Sequence, residues 1–269
     1  MTDKKMAGRA YDPKEEGILY LMIDGAAINT RVKDEGGTSW RENKLGIVFD
    51  STNMRRRKGE DPVSGEAHYE IMKKEYGAVV GGVAEFRKQL VDCAVRNGYG
   101  RYRQTVIISD GATWIRTMCE EIFPDAVQIL DLFHLAENIY SFAKYLFNGD
   151  AGQYEGWAKE MIGLKGSRTE ELLKRLEEYK GRPLPAGVPN MYGYVNNNRE
   201  KIDYAGYRRR GYYVGSGPIE SGNKVVVQRR CKQAGMRWDE TNAQYMLSLR
   251  AKHASNLWSE YVETLLSAA

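Results

Sequence analysis

Apolar and polar positions alternate in blocks along the first half of the chain. Short, nearly continuous apolar runs predict buried strands, because a strand covered on both faces has no polar side. Such runs lie at residues 17–24, 45–50, 76–80, 105–110 and 126–131. Segments with an apolar residue every three or four positions predict amphipathic helices. Those segments are residues 83–96, 113–123 and 132–147. The charged stretch 54–65 predicts an exposed loop, and the alternation as a whole predicts an α/β fold.

The pattern changes after residue 147 and remains helical almost to the end of the chain. Further helices are predicted at residues 153–163, 168–180, 190–203, 218–234 and 239–264, with a Pro- and Gly-rich linker at 181–189. The block from about 148 to 205 therefore predicts an all-helical insertion. The resulting domain prediction is a first part of the core at 1–147, the insertion at 148–205, and the rest of the core at 206–269.

Three carboxylates occupy the ends or starts of predicted buried elements. Asp24 and Asp110 each precede a glycine at the end of a strand, where α/β sheets place their sites. Glu220 falls in the first turn of the helix at 218–234. Each has an ordinary explanation, since strand-terminal Asp is common in turns and a first-turn Glu complements the helix dipole. Together they would repel and require protons or a cation, and oxygen ligands suit Mg²⁺ or Mn²⁺.

Charge is concentrated in the segment that follows Glu220. Residues 204–253 contain ten Lys or Arg and three acids, a net +7, whereas the whole chain carries +4 and the remainder therefore −3. A basic region on a near-neutral body indicates a polyanionic partner such as nucleic acid, although a solvated helix face is the plainer alternative. The candidate phosphate contacts are Lys224, Arg229, Arg230, Lys232 and Arg237. Trp238 is a candidate for packing or for stacking on a base.

Several classes of protein are disfavoured by composition. The three cysteines include no CxxC pair, which argues against a structural zinc site and fits a reducing cytosol. No apolar run approaches the length of a membrane span, and the N-terminal residues lack a signal-peptide core. We therefore expect a cytoplasmic protein without a membrane partner.

Four motifs in order carry a resemblance to a known family. They are Ile-Ser-Asp-Gly-Ala-Thr-Trp-Ile at 108–115, Leu-Asp-Leu-Phe-His at 130–134, Gly-Pro-Ile-Glu-Ser-Gly-Asn at 217–223 and Arg-Arg-Cys-Lys-Gln-Ala-Gly-Met-Arg-Trp at 229–238. With Asp24 they resemble the D-D-E catalytic core of bacterial insertion-sequence transposases, nearest to a Mutator-like branch with a D-x-x-H motif. Only 23 residues precede Asp24, whereas such transposases usually carry a DNA-binding region there, so recognition of transposon ends stays open.

The resemblance implies a fold, an activity and a set of partners. The expected fold is an RNase H-like mixed sheet flanked by helices, with the helical insertion before the last catalytic helix. Asp24, Asp110 and Glu220 would form the catalytic triad and hold two Mg²⁺ or Mn²⁺ ions for DNA strand cleavage and strand transfer. The expected partners are transposon ends, target DNA and further copies of the chain, as a homodimer or higher oligomer at the nucleoid of a prokaryote.

Two questions stay open at this point. Asp131 and His134 share one face of a helix start, so His134 could contact a phosphate or simply be satisfied by Asp131; the resemblance favours DNA contact for the pair. An RNase H-like hydrolytic nuclease or resolvase and a non-catalytic, transposase-derived DNA-binding protein remain alternatives to a transposase.

Overall fold

The computed structural model describes residues 16–60, 67–165 and 168–267. The strands within these ranges are β1 (Leu19–Asn29), β2 (Trp40–Asp50), β3 (Met54–Glu60), β4 (Ala67–Ile71), β5 (Glu75–Val80), β6 (Thr105–Ser109) and β7 (Val127–Leu130). The helices are α1 (Val83–Arg96), α2 (Thr113–Ile122), α3 (Leu132–Leu146), α4 (Ala151–Gly163), α5 (Thr169–Leu176), α6 (Met191–Asn197), α7 (Tyr204–Arg209), α8 (Gly217–Gly222), α9 (Arg229–Cys231), α10 (Glu240–Ala254) and α11 (Trp258–Ser267). A π-helical segment, Asn223–Gln228, joins α8 to α9.

Five strands form a mixed sheet in the order β5-β2-β1-β6-β7. The first strand pairs antiparallel with β2 and parallel with β6, and β2 pairs antiparallel with β5. Helices flank this sheet, so the α/β prediction is confirmed and the arrangement is compatible with an RNase H-like fold.

The described residues divide into two compact units. One comprises the residues up to Gly59, Ala67–Val127 and those from Gly217 onward, and the other comprises Glu60 and Gln128–Ser216. The division falls within β7. Every element of the second unit from Ala151 to Arg209 is helical. The domain boundaries at 147 and 205 and the role of this helical block as an insertion stay predictions.

The core of the first unit lies between β1 and the pair of helices α1 and α2. Alternate residues of β1, namely Leu19, Leu21 and Ile23, are buried against a cluster that includes Phe86, Leu90, Ile115 and Met118. Because side chains alternate along a strand, Tyr20, Met22 and Asp24 face the opposite side of the sheet. The same parity rule places Leu45 and Ile47 of β2 on that second side.

The edge strand β5 is covered by side chains of α10 and of Ser255, the residue that follows it. The amide N–H of Tyr76 donates to Ser255 Oγ at 2.9 Å, and that of Val80 donates to Gln244 Oε1 at 2.8 Å. Gln244 Nε2 in turn donates to the carbonyl of Ala78 at 3.0 Å. These bonds satisfy backbone groups that an open sheet edge would leave available for pairing with another chain.

Several boundaries predicted from the sequence are wrong. Instead of a loop, residues 54–60 form β3, which pairs with β4 as a separate ribbon; residues 61–66 lie outside the described residues. The residues of β3 are mostly polar on both faces, so no alternation of apolar and polar residues indicated a strand. The first strand does not end at Asp24 but runs to Asn29. The basic helix ends at Cys231 and contains a π-helical segment, and the last helix is broken between Ala254 and Trp258, with Asn256 at φ 57°.

Candidate carboxylate site on the sheet

Asp24 and Asp110 occupy adjacent positions where the parallel pairing of β1 with β6 stops. The last paired residues are Ile23 and Ser109, and each Asp is the next residue of its chain segment. Beyond that point β1 continues as a hairpin arm with β2. The prediction that Asp24 ends its strand is wrong, because β1 continues past it. The parallel partner strand, β6, does end beside Asp24. The carboxyl end of β6 therefore opens next to Asp24, which is where α/β sheets place their sites.

Both carboxylates are held by backbone donors. Asp24 Oδ1 accepts a hydrogen bond from the N–H of Gly25 at 2.8 Å. Asp110 Oδ1 accepts from the N–H of Ala112 at 2.9 Å, immediately before α2. Hydrogen bonds to a carboxylate are stronger than those between neutral groups, so both side chains have a preferred orientation.

The helix that carries Glu220 packs on the same side of the sheet as Asp24. Gly222 of α8 lies over β2 and β5, where a Cβ atom would be 2.7 Å from Tyr76 Cε1 and 3.4 Å from Leu45 Cδ2. The absence of a side chain at Gly222 therefore lets the helix approach the sheet closely. Asn223, the next residue, donates from Nδ2 to Asp24 Oδ2 in a short hydrogen bond.

Asn223 is a site residue that the sequence analysis missed. It is 4% exposed, and its amide oxygen Oδ1 is buried without a hydrogen-bond partner among the described residues. Asn43 lies on the same face of the sheet, opposite Ala26, and both polar atoms of its buried amide likewise have no partner there. The available signal was spacing, because Asn223 follows Glu220 by three residues and so shares its face of the helix.

The π-helical segment after α8 is supported by a side chain from α10. Arg250 Nε donates to the carbonyl oxygens of Val225 at 3.1 Å and Val226 at 2.8 Å. A π-helix leaves carbonyl groups displaced from the regular α-helical ladder, and such segments occur frequently at functional sites. The guanidinium of Arg250 satisfies these carbonyls and holds the segment that begins with Asn223.

The predicted phosphate contacts lie on or near the surface of the first unit. Lys224, Arg229, Lys232 and Arg237 are exposed, and Arg230 is half-buried. The Arg230 guanidinium lies 5.2 Å from the ring centroid of Trp238. Trp238 is anchored through its backbone, since its N–H donates to the carbonyl of Asn29 at 2.9 Å. The contacts of these residues with DNA stay predictions.

Asp131 and His134 belong to the second unit. Asp131 is 2% exposed, caps α3 by accepting from the N–H of Phe133 at 3.0 Å, and lies 2.6 Å from His134 Nδ1 through Oδ2. The structure therefore contains the contact expected if Asp131 simply satisfies the hydrogen-bonding needs of His134. The sequence-based role of this pair in DNA binding remains a prediction.

The donor chemistry beside Asp24 fits a hard divalent cation. Asp24 and Asp110 supply carboxylate oxygens, and Asn223 supplies a buried amide oxygen. Mg²⁺ binds through one or two carboxylates, several waters and substrate phosphates, so two aspartates are a sufficient protein contribution. Among the described residues, no group of three or more His, Cys, Asp or Glu side chains is arranged to hold a metal. The convergence of Glu220 with the two aspartates therefore stays a prediction.

Comparisons with known proteins add a distant structural likeness. No family model and no curated protein matches the chain. A solved structure of the Drosophila P element transposase strand transfer complex is similar over 88% of this chain and 77% of that chain, with 10% sequence identity and a TM-score of 0.41. Within the described residues no helix has the length and apolar character required to cross a membrane. A likeness at this TM-score is too distant to assign a family or a function.

Proposed function

We propose that the chain is a DDE-type DNA transposase catalytic domain, which cleaves a DNA strand and joins a 3′-OH end to a target strand. The observation that carries the proposal is the register of β1 against β6, which ends one residue before both Asp24 and Asp110. The second support is the hydrogen bond from Asn223 to Asp24, because it ties the helix of Glu220 to the strand of the first aspartate.

Asp24, Asp110 and Glu220 would hold two Mg²⁺ or Mn²⁺ ions. Such ions, when bound, help to activate the attacking hydroxyl and stabilise the leaving oxygen in phosphoryl transfer. The chain itself orients the ligands: Gly25 and Asn223 fix the two oxygens of Asp24, and the N–H of Ala112 fixes Asp110. The exposed cations Lys224 and Arg229 would bind phosphates and position the DNA backbone.

Asp110→Asn tests the assignment, with Asp50→Asn as its matched control. Asp50 also accepts a hydrogen bond from the N–H two residues ahead, that of Thr52, and Asn keeps an acceptor oxygen for this bond, so both variants remove the charge of a similarly held carboxylate. With Mn²⁺ and supercoiled plasmid, we expect Asp110→Asn to lose nicking by at least a hundredfold and Asp50→Asn to retain it. Equal activity in the two variants would refute the role of Asp110.

A second assay separates strand transfer from hydrolysis. A labelled oligonucleotide with a free 3′-OH should become covalently joined to the plasmid in the presence of the wild-type protein and Mn²⁺. Nicking without any joined product would instead assign the hydrolytic nuclease or resolvase alternative. If the wild-type protein binds DNA but neither nicks nor joins it, the non-catalytic alternative would hold.

A further inference from the structure

The β3–β4 ribbon presents a row of cations that the sequence analysis treated as part of a loop. Arg55, Arg56, Arg57 and Lys58 are consecutive and exposed along β3. Successive side chains of a strand point to opposite faces, so Arg55 and Arg57 share one face and Arg56 and Lys58 share the other. Residues two apart on a strand lie roughly 6.6 Å from each other, which makes each pair a short linear array of positive charge.

The Arg57 face of the ribbon borders a groove. The groove has a volume of about 300 Å³ and is lined on the ribbon side by Arg57, Tyr69 and Lys74. On its opposite side the lining residues come from the start of α8 and include Pro218 and Ser221. Ser221 is adjacent to Glu220 in sequence, so the groove leads from the cationic ribbon to the helix of the proposed catalytic site.

The groove offers both kinds of contact that a nucleotide needs. Arg57 pairs with Glu70 across the ribbon, with side chains 54% and 40% exposed. An exposed ion pair is worth little, so a phosphate can replace Glu70 as the partner of the guanidinium. Tyr69 is 36% exposed and presents an aromatic ring on which a base can stack.

We infer that this groove binds a single strand of DNA and guides it toward α8. Phosphates would contact Arg55, Arg57 and Lys74, and one base would stack on Tyr69. A single strand is favoured over a duplex, because the groove is bounded on two sides and a volume of about 300 Å³ is at the lower end of small-ligand pockets. The inference rests on the proposed function only in taking DNA as the substrate.

The two faces of the ribbon provide a matched experiment. Arg55→Gln/Arg57→Gln and Arg56→Gln/Lys58→Gln remove the same charge from opposite faces of the same strand. Binding of a fluorescent dT oligonucleotide to the full chain is measured by anisotropy in EDTA over a range of salt. The groove-face variant should bind about tenfold more weakly and flatten the slope of log K against log salt by about 1.4, that is about 0.7 for each lost phosphate contact. The opposite-face variant should keep the wild-type slope.

Two single substitutions give effects of opposite sign. Tyr69→Ala should weaken binding of the oligonucleotide by roughly tenfold through lost stacking. Glu70→Gln should strengthen it several-fold, because it removes the carboxylate that competes for Arg57. A merely structural role for the ribbon would not produce tighter binding in Glu70→Gln.

The outcomes separate this inference from the proposed function, because binding in EDTA does not depend on strand cleavage. Equal effects of the two double variants, or a stronger effect on a hairpin duplex than on the single strand, would overturn the single-strand groove while leaving DNA cleavage untouched. Failure of the wild-type protein to bind DNA of either form would overturn both the inference and the proposed function.

Discussion

Replacing Asn223 by Asp should destabilise the protein at pH 7 and much less at pH 5. The amide of Asn223 donates to Asp24 Oδ2, so the substitution removes a hydrogen bond to a carboxylate and places a second carboxyl group against it. The lost bond is worth about 1.5–3 kcal/mol. Repulsion between two unit charges 4 Å apart adds about 4 kcal/mol at an effective dielectric constant of 20.

Protonation of the introduced carboxyl group limits this loss of stability and makes it depend on pH. An introduced carboxyl with a reference pKa of about 3.9 takes up a proton at pH 7 for about 4 kcal/mol, and at pH 5 for about 1.5 kcal/mol. Once protonated, it can donate to Asp24 in place of the amide. Its pKa is raised by folding, so the stability of the variant is retained at low pH and lost as the pH rises through the folded pKa. We expect a loss of about 4 kcal/mol at pH 7 and about 1.5 kcal/mol at pH 5.

Urea unfolding of the variant and the wild type in EDTA at both pH values measures these losses. Asn53→Asp is the matched control, because Asn53 Nδ2 donates to Asp50 Oδ2 at 3.1 Å in a more exposed setting. Its loss should stay within about 1 kcal/mol and shrink in high salt. If Asn223→Asp costs no more than the control, or if its cost does not fall at pH 5, the buried contact with Asp24 does not exist in solution.

Metal binding adds a further arm to this experiment. If the carboxylates beside Asn223 bind a divalent cation, millimolar Mn²⁺ should recover part of the lost stability in Asn223→Asp. A cation at a hundredfold excess over its dissociation constant contributes about 2.7 kcal/mol. The Asn53→Asp control should not respond, and an equal response in both variants would argue against a specific site.

Three further predictions test the surface, the packing and the pH dependence. Arg229→Ala combined with Lys232→Ala should flatten the slope of log K for duplex DNA against log salt by about two units, measured by anisotropy; an unchanged slope would place these cations away from the DNA. Gly222→Ala should lose about 1–2 kcal/mol in urea unfolding, since overpacking against Tyr76 exceeds the gain in helix propensity, whereas Gly156→Ala, with open space at its Cβ, should gain about 0.5–1 kcal/mol. Burial raises the pKa of Tyr76 to about 12, so the contribution of the neutral Tyr76 side chain to stability is lost as the pH rises through that value. Between pH 10 and 12 the free energy of unfolding of the wild type should therefore fall by up to about 2.7 kcal/mol more than that of Tyr76→Phe. Equal pH dependence of the free energy of unfolding in the two proteins would contradict this.

Local pattern was sufficient for elements that bury one continuous face. The helix predicted at 83–96 has those bounds in the structure, because its apolar spacing is regular and Asn97-Gly98 stops it. The strand at 105–110 is one residue shorter than predicted, since Asp110 leaves the sheet to accept the N–H of Ala112. Pattern failed for β3, whose polar residues form a strand only because β4 supplies the partner.

The sequence by itself determined the α/β class, the approximate elements and the identity of Asp24, Asp110 and Glu220 as carboxylates worth testing, because these depend on short-range periodicity and residue type. Only the tertiary structure decided which residues meet. The alignment of Asp24 with Asp110 follows from the register between strands more than 80 residues apart in the chain. The contact of Asn223 with Asp24 depends on α8 reaching the sheet over Gly222, a long-range packing choice between residues 199 positions apart that no local pattern encodes.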